Sequence, residues 1–109
     1  RSFEQKKIIV DAGAIALSKD RGAVLFDENC GYGQVLDLNG NDLGLRVNTV
    51  SQEHGVIKVE DEELLRKLKV GSRIRILANH SCLSAAQHDF YNILENGEII
   101  DKWQIHRGW

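Results

Sequence analysis

The sequence predicts a mainly β domain, antiparallel and barrel-like, with one or two short helices. At least six short apolar or alternating segments fall within 109 residues, and a single segment has a clear helical pattern. Glycine separates these segments, because the chain has ten glycines and no proline. A chain of this length forms one domain, so residues 1–109 are treated as a single unit.

The first part of the chain gives one firm element. Residues 7–11 are short and β-branched, which predicts a buried strand. Residues 12–17 are rich in alanine and fit either one helical turn or an irregular loop. Residues 22–26 are apolar but favour neither a strand nor a helix.

The middle of the chain predicts a hairpin and a further strand. Residues 34–37 and 45–50 flank Asn-Gly-Asn-Asp at 39–42, and Asn-Gly favours the positive φ angles of a hairpin turn. The second of these runs alternates apolar and polar residues, as a half-buried strand does. Residues 55–59 then predict another strand.

The last part of the chain predicts one helix, one strand and a second hairpin. Residues 61–68 begin with acids, end with bases and carry leucines at helical spacing. Residues 73–77 alternate as a strand. Residues 89–94 and 98–103 predict a hairpin closed by Asn96-Gly97.

Composition excludes several classes of partner. The formal charge is −2, with 14 basic and 16 acidic residues interspersed, so no nucleic-acid partner is expected. No apolar run approaches the roughly 18 residues of a membrane span, so no membrane partner is expected either. The two cysteines are far apart and are expected as reduced thiols, which favours a cytoplasmic protein. Because residue 1 is not Met, we expect the chain to be part of a longer protein.

The chemically informative segment contains His80 and Cys82, two residues apart after the strand predicted at 73–77. In an extended chain, side chains at i and i+2 share a face with Cβ atoms about 6.5–7 Å apart. A zinc ion, with bonds of about 2.0–2.3 Å to nitrogen and sulfur, can close that gap. The alternative is a cysteine packed as a small hydrophobe beside a histidine bonded to the backbone.

Two further segments admit a functional and a structural interpretation. His54 precedes the strand at 55–59, so it fits an acid/base group, a third ligand or a half-exposed turn residue. Cys30 adjoins a Gly-Tyr-Gly run, which predicts a tight loop or a close backbone approach; no role for Cys30 follows from the sequence.

Four blocks of sequence occur in order from near residue 8 to the end of the chain. They are Asp11-Ala12-Gly13 with Ala16-Leu17-Ser18 and Asp20; Ser51-Gln52-Glu53-His54-Gly55; Asn79-His80-Ser81-Cys82 with Ala85-Ala86-Gln87; and Asp101-Lys102-Trp103-Gln104-Ile105-His106-Arg107-Gly108-Trp109. Together they resemble the C-terminal domain of the D-serine dehydratase and D-threonine aldolase family. These are pyridoxal-phosphate enzymes of the alanine-racemase fold type.

The resemblance implies a divalent metal, Zn²⁺ or a similar ion, on His80 and Cys82. It implies that the Schiff-base lysine and most of the pyridoxal phosphate site lie in a barrel domain outside this chain. Asn79, Gln87 and His54 are then candidates to lie near the metal or substrate, and Asp11 to shape the rim of the active site. Ala78 departs from the pattern, where proline is expected, and leaves both ligands in place.

The resemblance implies a lyase that acts on D-configured β-hydroxy amino acids. It also implies that the whole enzyme is a homodimer and that this fragment alone is inactive. D-Serine dehydration to pyruvate and ammonia is favoured, because a cysteine ligand resembles the dehydratase branch and aspartate the aldolase branch. A D-threonine or hydroxyaspartate-type aldolase or dehydratase is the alternative. A non-catalytic β-barrel module for dimerisation or binding, and a stand-alone metalloenzyme, remain open.

Overall fold

The computed structural model describes residues 1–107, except for the side chain of Ala23. Gly108 and Trp109, which end the last resembling block, lie outside the described residues. The strands are β1 (Lys7–Val10), β2 (Gly33–Leu36), β3 (Asp42–Val50), β4 (Gly55–Lys58), β5 (Arg75–Ala78), β6 (Phe90–Glu95) and β7 (Glu98–Gln104). The helices are α1 (Ala14–Leu17), α2 (Glu62–Lys67) and α3 (Ser81–Ala86), and a 3₁₀ turn spans Gly22–Leu25.

Five of the strands form one antiparallel sheet in the order β1-β4-β3-β2-β5. Strands β6 and β7 form a separate antiparallel hairpin. The predicted class, mainly β and antiparallel, is therefore confirmed. Within residues 1–107 the sheet is open, with β1 and β5 at its edges, and three α-helices replace the one or two expected.

The core lies on one face of the sheet. Alternate residues of a strand point to the same face, and Ile57 and Val59 at the β4 end are accordingly both buried, as is Val47 on the neighbouring strand β3. Leu65 of α2 is fully buried in the same cluster. This shared apolar cluster fixes α2 against the sheet, because it removes the leucine side chain from water.

Helix α2 forms where the acid-to-base pattern predicts it. The Asp61 carboxylate accepts hydrogen bonds from the N–H groups of Glu63 at 2.8 Å and Leu64 at 3.1 Å, so it caps the first turn. An ion pair between Glu63 and Lys67, four residues apart, spans the exposed face. The helix is one residue shorter at each end than the predicted range 61–68.

Both predicted hairpins are present, and each turn has a local chemical cause. In the β2–β3 turn, the Asp37 carboxylate accepts the N–H groups of Asn39 and Asn41 at 2.8 and 2.9 Å. In the β6–β7 turn, Asn96 and Gly97 both have positive φ, 51° and 85°, as a type I′ turn requires. Strand β3 begins at Asp42, three residues before the predicted start, because its pairing with β2 continues past a bulge.

One element was missed by the sequence prediction. Residues 81–86 form helix α3, whereas the spacing of His80 and Cys82 predicted an extended chain through both residues. Leucine and alanine at 83, 85 and 86 are good helix formers, and α3 packs against α1. No helix of the described part of the chain is long and apolar enough to cross a membrane.

Candidate metal site

His80 and Cys82 lie at the junction where β5 leads into α3. His80 has an extended backbone, with φ −135° and ψ 107°, and occupies the N-cap position of the helix. Cys82 is the second residue of α3, so the expectation that both side chains project from one strand face is wrong. The two exposed donors therefore share the start of α3.

The imidazole of His80 makes its hydrogen bond to a distant residue instead of capping its own helix. Its Nδ1 lies 2.7 Å from Oδ2 of Asp20, and both side chains are close to half exposed. An ionised carboxylate only accepts hydrogen bonds, so Nδ1 carries the proton. In the neutral ring, Nε2 then has a free lone pair.

Asp20 is held by its neighbours on the loop after α1. The Oγ of Ser18 accepts the N–H of Asp20 at 2.8 Å, and Ser18 itself is buried with a positive φ of 69°. The hydrogen bond with His80, followed by one from the backbone N–H of Gly22, lowers the pKa of Asp20 below its usual value. The carboxylate is therefore the form that faces His80 near neutral pH.

Asn79, one of the sequence candidates, joins this loop to the end of β5. Its side-chain Nδ2 donates to the carbonyl of Gly31 at 2.9 Å and lies 3.5 Å from the carbonyl of Asp20. The same nitrogen is 3.9 Å from the buried Sγ of Cys30. Asn79 thus contacts the segment that carries Asp20, which places it beside the His80 site.

The close backbone approach expected around Cys30 is present. Gly31 has φ +58°, and a Cβ added there would lie 2.3 Å from the carbonyl oxygen of Val47. The next N–H, of Tyr32, donates to that same carbonyl at 2.8 Å. This contact anchors the loop on β3 and so sets the position of the carbonyl that Asn79 binds.

The remaining candidates lie elsewhere around the domain. Gln87 is the C-cap of α3, at the opposite end of that helix from His80. His54 is exposed in the loop before β4, and its carbonyl accepts the N–H of Ser51 at 2.8 Å. Asp11 lines a cavity of about 750 Å³ beside β1 and the segment after α2, and His80 is not part of that lining. Within the described residues, no hydrogen bond or ion pair links these three to His80.

The donor set at the start of α3 suits a zinc-like ion. Imidazole nitrogen and thiolate sulfur are both zinc ligands, and both cysteines are free thiols. Across residues 1–107, no group of three or more His, Cys, Asp or Glu side chains is arranged to hold a metal. A metal on His80 and Cys82 would therefore keep open positions, which is typical of catalytic sites.

Asp20 is the residue of this site that the sequence did not single out. It appeared only as part of a resembling block, and it is 60 positions away from His80. No spacing pattern links two side chains at such a separation. The two segments meet through tertiary packing of α1 against α3, which includes a hydrogen bond from Ser84 Oγ to the carbonyl of Ala16.

The fold and the site thus define the class of this protein. It is an antiparallel sheet domain with a histidine–cysteine pair at the start of a helix. The chain belongs to the putative serine dehydratase domain family, whose model matches residues 2–94. The predicted family is confirmed.

Relatives of known name agree with this assignment. The chain is 37% identical over 106 residues to the D-threo-3-hydroxyaspartate dehydratase of Delftia sp. (strain HT23), and the match covers 93% of this chain and 28% of that enzyme. It is 35% identical over 112 residues to the D-serine dehydratase of Dictyostelium discoideum, covering 97% and 27%. The chain therefore spans under a third of the length of these relatives.

Solved structures resemble the fold closely. An alanine-racemase-like protein from Idiomarina loihiensis superposes with a TM-score of 0.86 at 41% identity, covering 99% of this chain and 29% of that one. The Delftia dehydratase superposes with a TM-score of 0.82 at 34% identity, covering 99% and 30%. Structures of that enzyme include a cysteine-to-alanine mutant in the metal-free form and a histidine-to-alanine mutant. The two substituted positions are two residues apart in the Delftia enzyme.

Proposed function

We propose that this chain is the metal-carrying domain of a pyridoxal-phosphate-dependent lyase that acts on D-configured β-hydroxy amino acids. Dehydration of D-serine to pyruvate and ammonia is the favoured reaction. The observation that carries the proposal is the pairing of His80, hydrogen-bonded through Nδ1 to Asp20, with Cys82 at the start of one helix. The cofactor and its Schiff-base lysine are assigned to a part of the protein outside this chain.

Elimination of the substrate's β-hydroxyl group explains why the enzyme would need a metal at this site. When bound, pyridoxal phosphate supplies an electron sink and a divalent metal stabilises the leaving hydroxide. His80 and Cys82 would hold the metal while leaving coordination positions for the substrate oxygen. Both side chains are exposed, so a substrate can approach them.

Dehydration of a hydroxyaspartate is the second candidate, and the Delftia relative favours it. The two substrates differ by one carboxylate, and the same metal would serve both. Retro-aldol cleavage of D-threonine is a third reaction that the same metal would support. The products separate all three: pyruvate and ammonia from D-serine, oxaloacetate and ammonia from hydroxyaspartate, and glycine and acetaldehyde from D-threonine.

Metal analysis tests the site itself. The chain is loaded with Zn²⁺, dialysed and assayed for bound metal beside three variants: His80→Ala, Cys82→Ser and His88→Ala. His88 is an exposed histidine just beyond α3, so its variant controls for loss of any surface imidazole. We expect equimolar zinc in the parent and the His88→Ala variant, and loss in the other two. Equal zinc in all four proteins would contradict the proposal and favour the non-catalytic module.

Turnover assays test the reaction. The protein at its natural length, supplied with pyridoxal phosphate and zinc, is incubated with each of the three substrates. We expect pyruvate from D-serine, and no turnover by the 109-residue chain alone. Pyruvate formation by the isolated chain would contradict the assignment of the catalytic lysine to another part of the protein.

A further inference from the structure

The hydrogen bond between Asp20 and His80 has a consequence for the metal ligand. A neutral imidazole carries its proton on either ring nitrogen, and a nitrogen that carries the proton cannot bind a metal. Oδ2 of Asp20 lies 2.7 Å from Nδ1, so the proton is kept on Nδ1. Nε2 is then the nitrogen with a free lone pair.

We propose that Asp20 is a positioning residue, which fixes the ring orientation and the tautomer of His80 so that Nε2 faces the metal. Histidine ligands commonly donate their other N–H to a carboxylate, which also raises the basicity of the ligating nitrogen. The proposal rests on the metal role of His80 given above. It adds a residue from the loop after α1 to a site otherwise formed at the start of α3.

The surroundings of Asp20 indicate a held carboxylate and not a freely moving surface side chain. Ser18 Oγ accepts the backbone N–H of Asp20 at 2.8 Å, from a buried position. The Asn79 amide lies 3.5 Å from the Asp20 carbonyl and donates to the Gly31 carbonyl at 2.9 Å. Because Asn79 directly precedes His80, one side chain ties the Asp20 loop to the backbone that carries the imidazole.

Because the side chains of His80 and Asp20 are partly exposed, a positioning role and a stabilising role for Asp20 predict different results. The side chains of His80 and Asp20 are 45% and 44% exposed, and ion pairs in such surroundings contribute little to folding. Loss of the Asp20 carboxylate should therefore leave the urea midpoint nearly unchanged. Its effect should appear in the state of the His80 ring and in the affinity for metal.

The first experiment reads the tautomer directly, without metal. Long-range ¹H–¹⁵N correlation spectra of the metal-free chain at pH 8 assign the protonated nitrogen of His80. We expect Nδ1–H in the parent and a shift toward Nε2–H in Asp20→Ala. Asp20→Asn, whose amide oxygen still accepts, should retain more of the Nδ1–H form. Asp27→Asn is the matched control, because Asp27 is another aspartate between α1 and β2 and accepts the N–H of Asn29 at 2.8 Å.

The second experiment measures zinc affinity by competition with a chromophoric chelator. We expect Asp20→Ala to weaken zinc binding about 10–100-fold and Asp27→Asn to leave it unchanged. If His80→Ala retains the parent affinity, the metal assignment itself is wrong. If His80→Ala loses zinc while Asp20→Ala keeps both the parent affinity and the parent tautomer, only the positioning role is overturned. A parent His80 with its proton on Nε2 also overturns it, whether or not any Asp20 variant folds.

Discussion

A methyl group added at Gly31 should destabilise the fold far more than one added at Gly40. Both glycines have positive φ, +58° and +90°, so alanine at either position incurs the left-handed backbone cost of roughly 1–2 kcal/mol. At Gly40 the new Cβ would meet no atom within 4 Å. At Gly31 it would lie 2.3 Å from the carbonyl oxygen of Val47, which is far inside contact distance.

The additional loss of folding free energy at Gly31 comes from the backbone shift that the new Cβ requires. Relief of the overlap displaces the backbone from β3 and weakens the 2.8 Å hydrogen bond from the Tyr32 N–H to Val47. A backbone group left without its partner there costs about 1–3 kcal/mol. The carbonyl of Gly31 also accepts from Asn79, so part of a second hydrogen bond, worth about 1 kcal/mol, is lost. We expect a total of roughly 3–6 kcal/mol for Gly31→Ala, against roughly 1–2 kcal/mol for Gly40→Ala.

Urea denaturation followed by tryptophan fluorescence and far-UV circular dichroism measures both variants. The expected total is a large fraction of the roughly 5–15 kcal/mol by which a domain is stable, so Gly31→Ala should unfold at a much lower urea midpoint. The slope with urea should stay the same in the Gly40→Ala control. Equal midpoint shifts for the two variants would refute the argument, because they would show that the Val47 contact has no energetic role.

Two further predictions concern the core and the acid range. Leu65→Ala removes a side chain with 0% exposure and should cost about 2–5 kcal/mol in urea denaturation, whereas Val70→Ala, at 89% exposure, should change stability by under about 0.5 kcal/mol. Similar losses in the two variants would contradict the burial of α2. Hydrogen bonds from the Asn41 side chain and then its backbone N–H lower the pKa of Asp37 below its usual 3.8, so the ionised carboxylate stabilises the fold above that pH. This contribution is lost as the pH falls through the folded-state pKa, and the stability gap between the parent and Asp37→Asn should therefore be present at pH 7 and shrink below about pH 4. A gap of equal size at pH 7 and pH 3 would contradict it.

His80 and Cys82 were predicted as a metal-binding pair from a local structure that the chain does not adopt. The spacing of two residues on one strand face does not apply to these candidate ligands, because the helix begins directly after His80. His80 directly precedes the helix and Cys82 lies in its first turn, so both residues are at the same end of α3. Helix formers at 83, 85 and 86 were a usable signal for α3, although six residues are too few to form a helix without tertiary contacts.

Elements that depend on local chemistry were predictable from sequence. The Asn96-Gly97 turn, the acid-to-base pattern of α2 and the alternation of β3 each specify their structure through neighbouring residues. The four resembling blocks, taken in order along the chain, were also enough to predict the family, which the match over residues 2–94 confirms.

The sequence by itself thus determined the antiparallel class, the hairpins, helix α2 and the family. Only the tertiary structure decided which side chains surround His80: it brought Asp20 within hydrogen-bond distance and left Asp11 and His54 without such a bond to it in the described part of the chain. The reason is how far apart the interacting residues lie along the chain. Turns and helix caps form between residues a few positions apart, whereas the Asp20–His80 pair joins residues 60 positions apart and exists only after α1 has packed on α3.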